Sequence, residues 1–259
     1  MSSTKRNPIA RRRALRREIA EHGEVSVNEL CELLDASPAT IRRDLVMLAQ
    51  EGKVNRGYGG ASIPSMRPAE EALAVRAHKF VKEKQSIAHA ALDFIAPGNT
   101  LFLGDGSTVL ALARDIALVD FELFVATPAV NISEILVGNP KITVCLLGGL
   151  VRQTSHATGG YFAETMVDQI NADLAITSCD ALSLSDGLCY SHAVDAALAK
   201  KMSLKSTRTM TLINHAKIDS KARICGIALE EVDIIITEKR HAKMEQLLEK
   251  MKVRIVYAG

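Results

Sequence analysis

The sequence has no run of about 18 apolar residues, the length a helix needs to cross a bilayer, so no membrane span is expected. Its basic start is followed by no apolar core, so no signal peptide is expected either. The five cysteines, at positions 31, 145, 179, 189 and 225, are scattered and odd in number, and no pair has metal-ligand spacing. That usage fits buried free thiols in a reducing cytoplasm and argues against structural disulfides. No two histidines fall at ligand spacing, so no metal is expected, and no cofactor is called for. Strong charge of one sign is missing too: the formal net charge is only +2.

What is present is unevenly placed. Residues 1–60 hold 11 Lys or Arg against 8 acids, whereas residues 61–259 hold 21 against 22, so the excess positive charge sits at the front. Residues 1–17 alone carry seven basic side chains and no acid, a local patch of the kind phosphate contact requires. With 259 residues and 47% hydrophobic side chains, the chain has room for a small domain and a larger one, each with its own core.

The most informative stretch is Ser37-Pro38-Ala39-Thr40-Ile41-Arg42-Arg43-Asp44-Leu45. Ser37 is suited to cap free amides, and Pro38 suits the first helical position, where its missing N–H costs nothing. Ile41, Leu45 and Leu48 recur at helical spacing, with Arg42 and Arg43 beside that face. A helix from Pro8 or Ile9 to about Glu21, stopped by Gly23, is expected before it. A second helix opens on the capping-box pair Ser26 and Glu29 and buries Val27, Leu30, Leu33 and Leu34. Gly52 to Gly60 carries the glycines of a tight hairpin with Lys53 and Arg56 on it, which reads as a wing. The arrangement is that of a winged helix-turn-helix, with double-stranded operator DNA as partner. Ser37, Ala39, Thr40, Arg42 and Arg43 are the candidate contacts of the reading helix. Lys53 and Arg56 are the candidate positioning contacts.

Residues 61–84, with Pro64 and Pro68 among small and charged residues, read as a linker. From residue 85 to 259 the chain alternates short apolar runs with helical patterns. Strands are expected at Thr100–Leu103, Leu123–Thr127, Ile142–Leu147, Leu174–Cys179, Thr209–Ile213, Val232–Thr237 and Val253–Tyr257. Helices are expected at Gln85–Ile95, Thr108–Leu118, Val130–Val137, Phe162–Gln169, Ala193–Lys205 and His241–Lys250. Such alternation builds a mostly parallel sheet covered on both faces, whose ligands bind beyond the carboxyl ends of the strands. The loops to inspect follow from that rule. Gly104-Asp105-Gly106-Ser107-Thr108 joins a strand to a helix and suits an anion. It lacks the third glycine of a dinucleotide fingerprint and the lysine of a nucleotide P-loop. Thr127 with Pro128, Gly148-Gly149 with Arg152, Lys217 and Asp195 lie at comparable depth. Asp180, Asp186 and His192 surround a polar loop before the helix of Asp195.

Residues 9–60 resemble the DNA-binding domain of the DeoR family of bacterial transcription regulators. The resemblance rests on Val25-Ser26-Val27 with Glu29-Leu30, on Ser37-Pro38-Ala39-Thr40-Ile41-Arg42-Arg43-Asp44-Leu45, and on Gly52 to Ala61. Residues 84–257 are similar to the sensor domain of the same family, whose fold is like that of ribose-5-phosphate isomerase. The resemblance implies a repressor of a sugar or polyol operon, released by a phosphorylated sugar or related small molecule. Gly104–Thr108 would match the phosphate-cradling loop, and Gly148-Gly149, Arg152 and Lys217 would match other ligand positions. Four positions depart from the family pattern: the order Gly104-Asp105, Pro128 in place of Asn, Asn214 in place of Asp, and Asp195 in place of Glu. They fall on ligand loops, which implies an altered effector. A homo-oligomer, dimer or tetramer, is expected to span two operator half-sites. Two other readings are open: an aldose–ketose isomerase using Asp105, Asp180 or Asp195 with Lys217, and an architectural DNA-binding protein that senses nothing.

Overall fold

The computed structural model describes residues 8–22, 24–51, 53–57, 60–62 and 71–259. The chain divides into two compact units, Met1–Pro68 and Ala69–Gly259.

The first unit runs α1 (Pro8–His22), β1 (Glu24–Ser26), α2 (Val27–Leu34), α3 (Pro38–Gln50), β2 (Asn55–Gly57) and β3 (Gly60–Ser62). Ser26 and Glu29 form a reciprocal capping box at α2, and Asp35 closes that helix in a left-handed conformation. Ser37 Oγ caps α3 by accepting from the Thr40 amide at 3.3 Å, with Pro38 at the first turn. Leu15, Ile19, Val27, Leu30, Ile41, Leu45 and Leu48 meet in one small core. Leu33 does not join it: it is 52% exposed, because α2 is only eight residues long and turns just Val27 and Leu30 fully inward. The wing strands β2 and β3 pair antiparallel, and β3 also pairs with β1, a strand too short for its sequence to announce. Gly23, Gly52, Tyr58, Gly59, Pro64 and Pro68 lie outside the described residues.

The second unit begins with α4 (Leu73–His78) and α5 (Val81–Leu92), so part of the stretch that reads as linker is helical. It continues β4 (Thr100–Leu103), α6 (Ser107–Ile116), β5 (Leu123–Thr127), α7 (Val130–Leu136), β6 (Ile142–Leu146), β7 (Leu150–Arg152), β8 (Ala157–Gly159), α8 (Tyr161–Asp168) and β9 (Ala172–Thr177). Then follow β10 (Ala181–Ser183), β11 (Gly187–Tyr190), α9 (Ala193–Leu204), β12 (Ser206–Leu212), β13 (Ile224–Ile227), β14 (Ile234–Thr237), α10 (Ala242–Met251) and β15 (Arg254–Tyr257).

Seven strands form one sheet in the order β15-β14-β12-β9-β4-β5-β6, and every described pairing in it is parallel. Side chains alternate between its faces. Leu101, Leu103, Val125, Leu174, Ile176 and Met210 pack against α5, α6 and α7. Phe102, Ala126, Ala175 and Ile235 pack against α8, α9 and α10. The fold is therefore an α-helical winged unit followed by a parallel α/β unit. After β4 the chain builds outward through β5 and β6. From β9 it builds the other way. The strand order thus reverses between β4 and β9, and a crevice opens at their carboxyl ends.

Candidate functional site

The first unit presents a basic helix face. Ala39, Arg42 and Arg43 are exposed on α3, three and four residues apart, while Ile41, Asp44, Leu45 and Leu48 are buried on its other side. Ser37 and Thr40 sit at the helix start, their hydroxyls 2.9 Å apart. Asp44 is the buried acid of the motif. Arg11 Nε of α1 donates to its Oδ2 at 2.5 Å, so one arginine of the basic N-terminal run is spent on holding α1 to α3. Lys53 is exposed and pairs with Glu51 at 2.6 Å, and Arg12 lies 3.5 Å from the same carboxylate. Arg56 lies on the wing strand β2, and its side chain falls outside the described residues.

In the second unit a pocket occupies the crevice at the strand-order reversal. It is lined by Arg76, Asp105, Gly106, Ser178, Cys179, Asp180, Tyr190, Asp195 and Lys217. Gly106 starts α6 at φ 111°, a backbone conformation that favours glycine, and it sets the N-terminus of that helix at the pocket wall. Gly104 donates its amide to Ile176 O at 2.8 Å, which ties the loop to β9, and Ser107 and Thr108 are buried behind it. Burial pushes the Asp105 carboxyl up to about 6. Asp195 and Asp180 add to that rise, and Arg76 opposes it. Lys217 Nζ donates to Cys179 O at 2.6 Å, and burial pushes its ammonium down.

Arg152 reaches the site indirectly, through an ion pair with Asp195. Gly149, at φ 141°, presses against β8: a Cβ there would lie 2.6 Å from Gly159 O. Gly148 donates to Met166 Sδ at 3.1 Å. Thr127 and Pro128 do not line the pocket. Thr127 Oγ1 accepts from the Ala129 amide at 3.1 Å, and Pro128 O accepts from the Thr158 amide at 2.8 Å, so both set the path of the chain beside β8. Asp186 accepts from Ser183 and Ser185 at the β10–β11 turn, and His192 precedes α9 as its cap residue.

Four lining residues are in no site reading of the sequence: Arg76, Ser178, Cys179 and Tyr190. Arg76 comes from α4, which joins the unit through Leu73, whose amide donates to Thr154 O at 2.8 Å. Its guanidinium Nη1 lies 3.7 Å from Asp180 Oδ1. Lys84 of α5 holds α4 in place, with its buried Nζ donating to Lys79 O at 2.7 Å and also to Arg76 O. Burial, with Lys217 and Arg76 nearby, pushes the Lys84 ammonium down to about 8. The pocket therefore sets cations and a helix N-terminus against three carboxylates. The first pair suits an anionic group, and the carboxylates suit hydroxyl donors.

A capped, arginine-bearing helix with a β wing, followed by a parallel α/β unit with a charged crevice, is the build of a DNA-binding transcription regulator. Residues 11–67 match the DeoR-like helix-turn-helix domain, and residues 79–239 match the DeoR C terminal sensor domain. The chain belongs to the DeoR family of helix-turn-helix transcriptional regulators. It is 30% identical over 240 residues to the HTH-type transcriptional repressor CsqR of Escherichia coli, covering 92% of this chain and 91% of that one. It is 28% identical over 235 residues to a lactose phosphotransferase system repressor of Staphylococcus epidermidis, covering 89% and 92%. Among solved structures, ribose 5-phosphate isomerase A of Methanocaldococcus jannaschii superposes with a TM-score of 0.40 at 15% identity, over 52% of this chain and 53% of that one. Among the described residues no helix is long and apolar enough to cross a membrane.

Proposed function

We propose that this regulator represses a carbohydrate or polyol operon and is released by a phosphorylated sugar or a sugar-derived relative bound in the second unit. The observation that carries this reading is the pocket at the β4–β9 reversal. The α6 N-terminus, Lys217 and Arg76 favour the anionic group. Asp105, Asp180 and Asp195 accept from sugar hydroxyls. Names of relatives, such as the lactose phosphotransferase system repressor, support a carbohydrate setting. On the DNA side, Arg42 and Arg43 enter the major groove with Ser37, Ala39 and Thr40 at the helix start, and Lys53 and Arg56 hold the backbone from the wing. A homo-oligomer in the cytoplasm places two such helices on one operator. The effector acts by binding one of two oligomer arrangements more tightly than the other.

Isomerase chemistry is disfavoured because the relatives this chain resembles are named as repressors and regulators, and because two of its three candidate carboxylates, and the lysine, already have partners. Asp195 is held by Arg152, Asp180 faces Arg76 and accepts from the Ser191 amide at 2.7 Å, and Lys217 is bound to Cys179 O. The deciding experiment is thermal unfolding against a panel of phosphorylated sugars, polyol phosphates and sugar phosphodiesters. A ligand at 100 times its Kd adds about 2.7 kcal/mol to apparent stability. A hit should then weaken binding to operator DNA selected from a random library. No shift with any ligand at millimolar concentration would overturn the sensor reading.

A further inference from the structure

Away from the pocket's charged groups, two of the five cysteines meet across a pair of short strands. β11 and β13 run antiparallel with Cys189 directly opposite Cys225, one residue past a register shift at Leu188. Their sulfurs lie 2.8 Å apart. A disulfide bond is about 2.05 Å long, so the two atoms stand less than about 1 Å from bonding distance. Cys189 is buried, whereas Cys225 is exposed and β13 is the edge strand of its three-stranded sheet. One residue of the pair is therefore exposed on the edge strand and the other is buried beside it, an arrangement that neither the scattered spacing nor the expectation of buried thiols foretells. The neighbours in sequence connect this pair to the pocket. Tyr190 follows Cys189 and lines the pocket. Gly226 follows Cys225 and presses on the Tyr190 ring, where a Cβ would lie 2.9 Å from Tyr190 Cε2.

We propose that Cys189 and Cys225 are a two-thiol modification site, which a hydroperoxide oxidises to a disulfide that ties β13 to the strand carrying Tyr190. The Cys225 thiol gives its proton to solvent, its thiolate takes one oxygen from the peroxide as the O–O bond breaks, and the departing oxyanion recovers a proton from solvent, leaving a sulfenic acid and an alcohol, or water in the case of hydrogen peroxide. Cys189 gives up its proton and attacks the Cys225 sulfur; the S–O bond breaks, and the departing hydroxide takes that proton as water. Two thiols and one hydroperoxide become one disulfide, one alcohol and one water, with two electrons passing from sulfur to the peroxide. Burial pushes the Cys189 thiol up to about 12, which keeps it protonated until the sulfenic acid forms beside it. The site does not depend on the identity of the effector.

The test uses the full reduced chain, titrated with hydrogen peroxide and read by counting alkylatable thiols and mapping peptides by mass spectrometry. The expected result is loss of two thiols together, with a peptide linking Cys189 to Cys225 that dithiothreitol releases. In Cys189→Ala, dimedone should trap a sulfenic acid at Cys225, and in Cys225→Ser no linked peptide should form. The proposal is overturned if Cys225 proceeds to sulfinic acid at the same rate in wild type and Cys189→Ala. It is also overturned if peroxide joins two chains through Cys225, or if all five thiols survive an excess that oxidises free cysteine in the same tube.

Discussion

Arg76 Nη1 of α4 lies 3.7 Å from Asp180 Oδ1, so the first helix of the second unit reaches into the crevice at the far end of β9. Asp180 has a second task, since it accepts from the Ser191 amide at 2.7 Å. The two tasks separate by substitution. Asp180→Asn keeps an acceptor for Ser191 and removes the charge facing Arg76, so it should cost less than about 1.5 kcal/mol in urea unfolding. Asp180→Ala strands the Ser191 N–H and should cost about 1–3 kcal/mol. Because Asn removes one carboxylate that competes for the guanidinium, affinity for a panel ligand carrying phosphate should rise in Asp180→Asn and fall about 10- to 100-fold in Arg76→Gln. Calorimetric titration reads both. Equal affinities in all three proteins would remove Arg76 from the binding site.

The Arg11–Asp44 pair is buried on both sides and joins α1 to α3. Removing one partner of such a pair leaves an uncompensated charge in the core. Arg11→Met should therefore cost about 3–5 kcal/mol and melt the first unit before the second. Far-UV circular dichroism during thermal unfolding would show two transitions in place of the wild-type pattern. A loss below about 1 kcal/mol would mean that water reaches Asp44 and that the pair is a surface contact.

What the sequence discloses and what it hides divide along physical lines. β4 falls at Thr100–Leu103, as its apolar run demands, and β5 falls at Leu123–Thr127 for the same reason. Caps are local chemistry, so Ser26, Glu29 and Ser37 are legible as helix starts. The strands β1, β7, β8 and β10 are three residues long, too short for a period, and β11 and β13, though as long as β4, open or interrupt their apolar run with Gly187 and Gly226; all six are fixed by partners elsewhere in the chain. The pocket was half legible for a related reason. Asp105 and Gly106 sit on a loop that the strand-end rule singles out, Lys217 follows β12 in a single 3-10 turn, and Asp195 lies in the first turn of α9 just after such a loop. Arg76 belongs to a charged stretch whose apolar stripe (Leu73, Ala77, Phe80) is weak, and the meeting of Cys189 with Cys225 is fixed by a register no spacing rule encodes. Thr127 and Pro128 lie at strand-end depth, yet their polar groups are turned to hold β8.

Asp105 gives a pH dependence whose sign is fixed. Its carboxyl is raised in the fold from its ordinary 3.8 to about 6, so the folded state favours the protonated form. The stability this confers is complete below about pH 4 and is lost as pH rises through about 6, by up to about 3 kcal/mol. Asp105→Asn abolishes the loss. The variant should be more stable than wild type in urea at about pH 7.5, and the two should converge at about pH 4. A variant less stable than wild type at the higher pH would mean that the charged carboxylate is held by groups that favour it.

Arg42 and Arg43 are exposed on α3, and among the described residues neither has an ion-pair partner, in contrast to Lys53, which faces Glu51. Their contributions to operator binding should differ in kind. An arginine that reads a base should, on substitution by Ala, cost about 1–3 kcal/mol at the preferred site and relax sequence preference at one position. An arginine on phosphate should weaken all sequences alike and lower the dependence of log K on log salt by about one. Binding of each variant to a selected operator and to scrambled DNA, across a salt series, separates the two. Lys53→Ala should follow the phosphate pattern with a smaller loss, because Glu51 already neutralises part of its charge. If Arg42→Ala and Arg43→Ala both leave affinity, preference and salt slope unchanged, α3 is not the reading helix and its exposed arginines only solvate the surface.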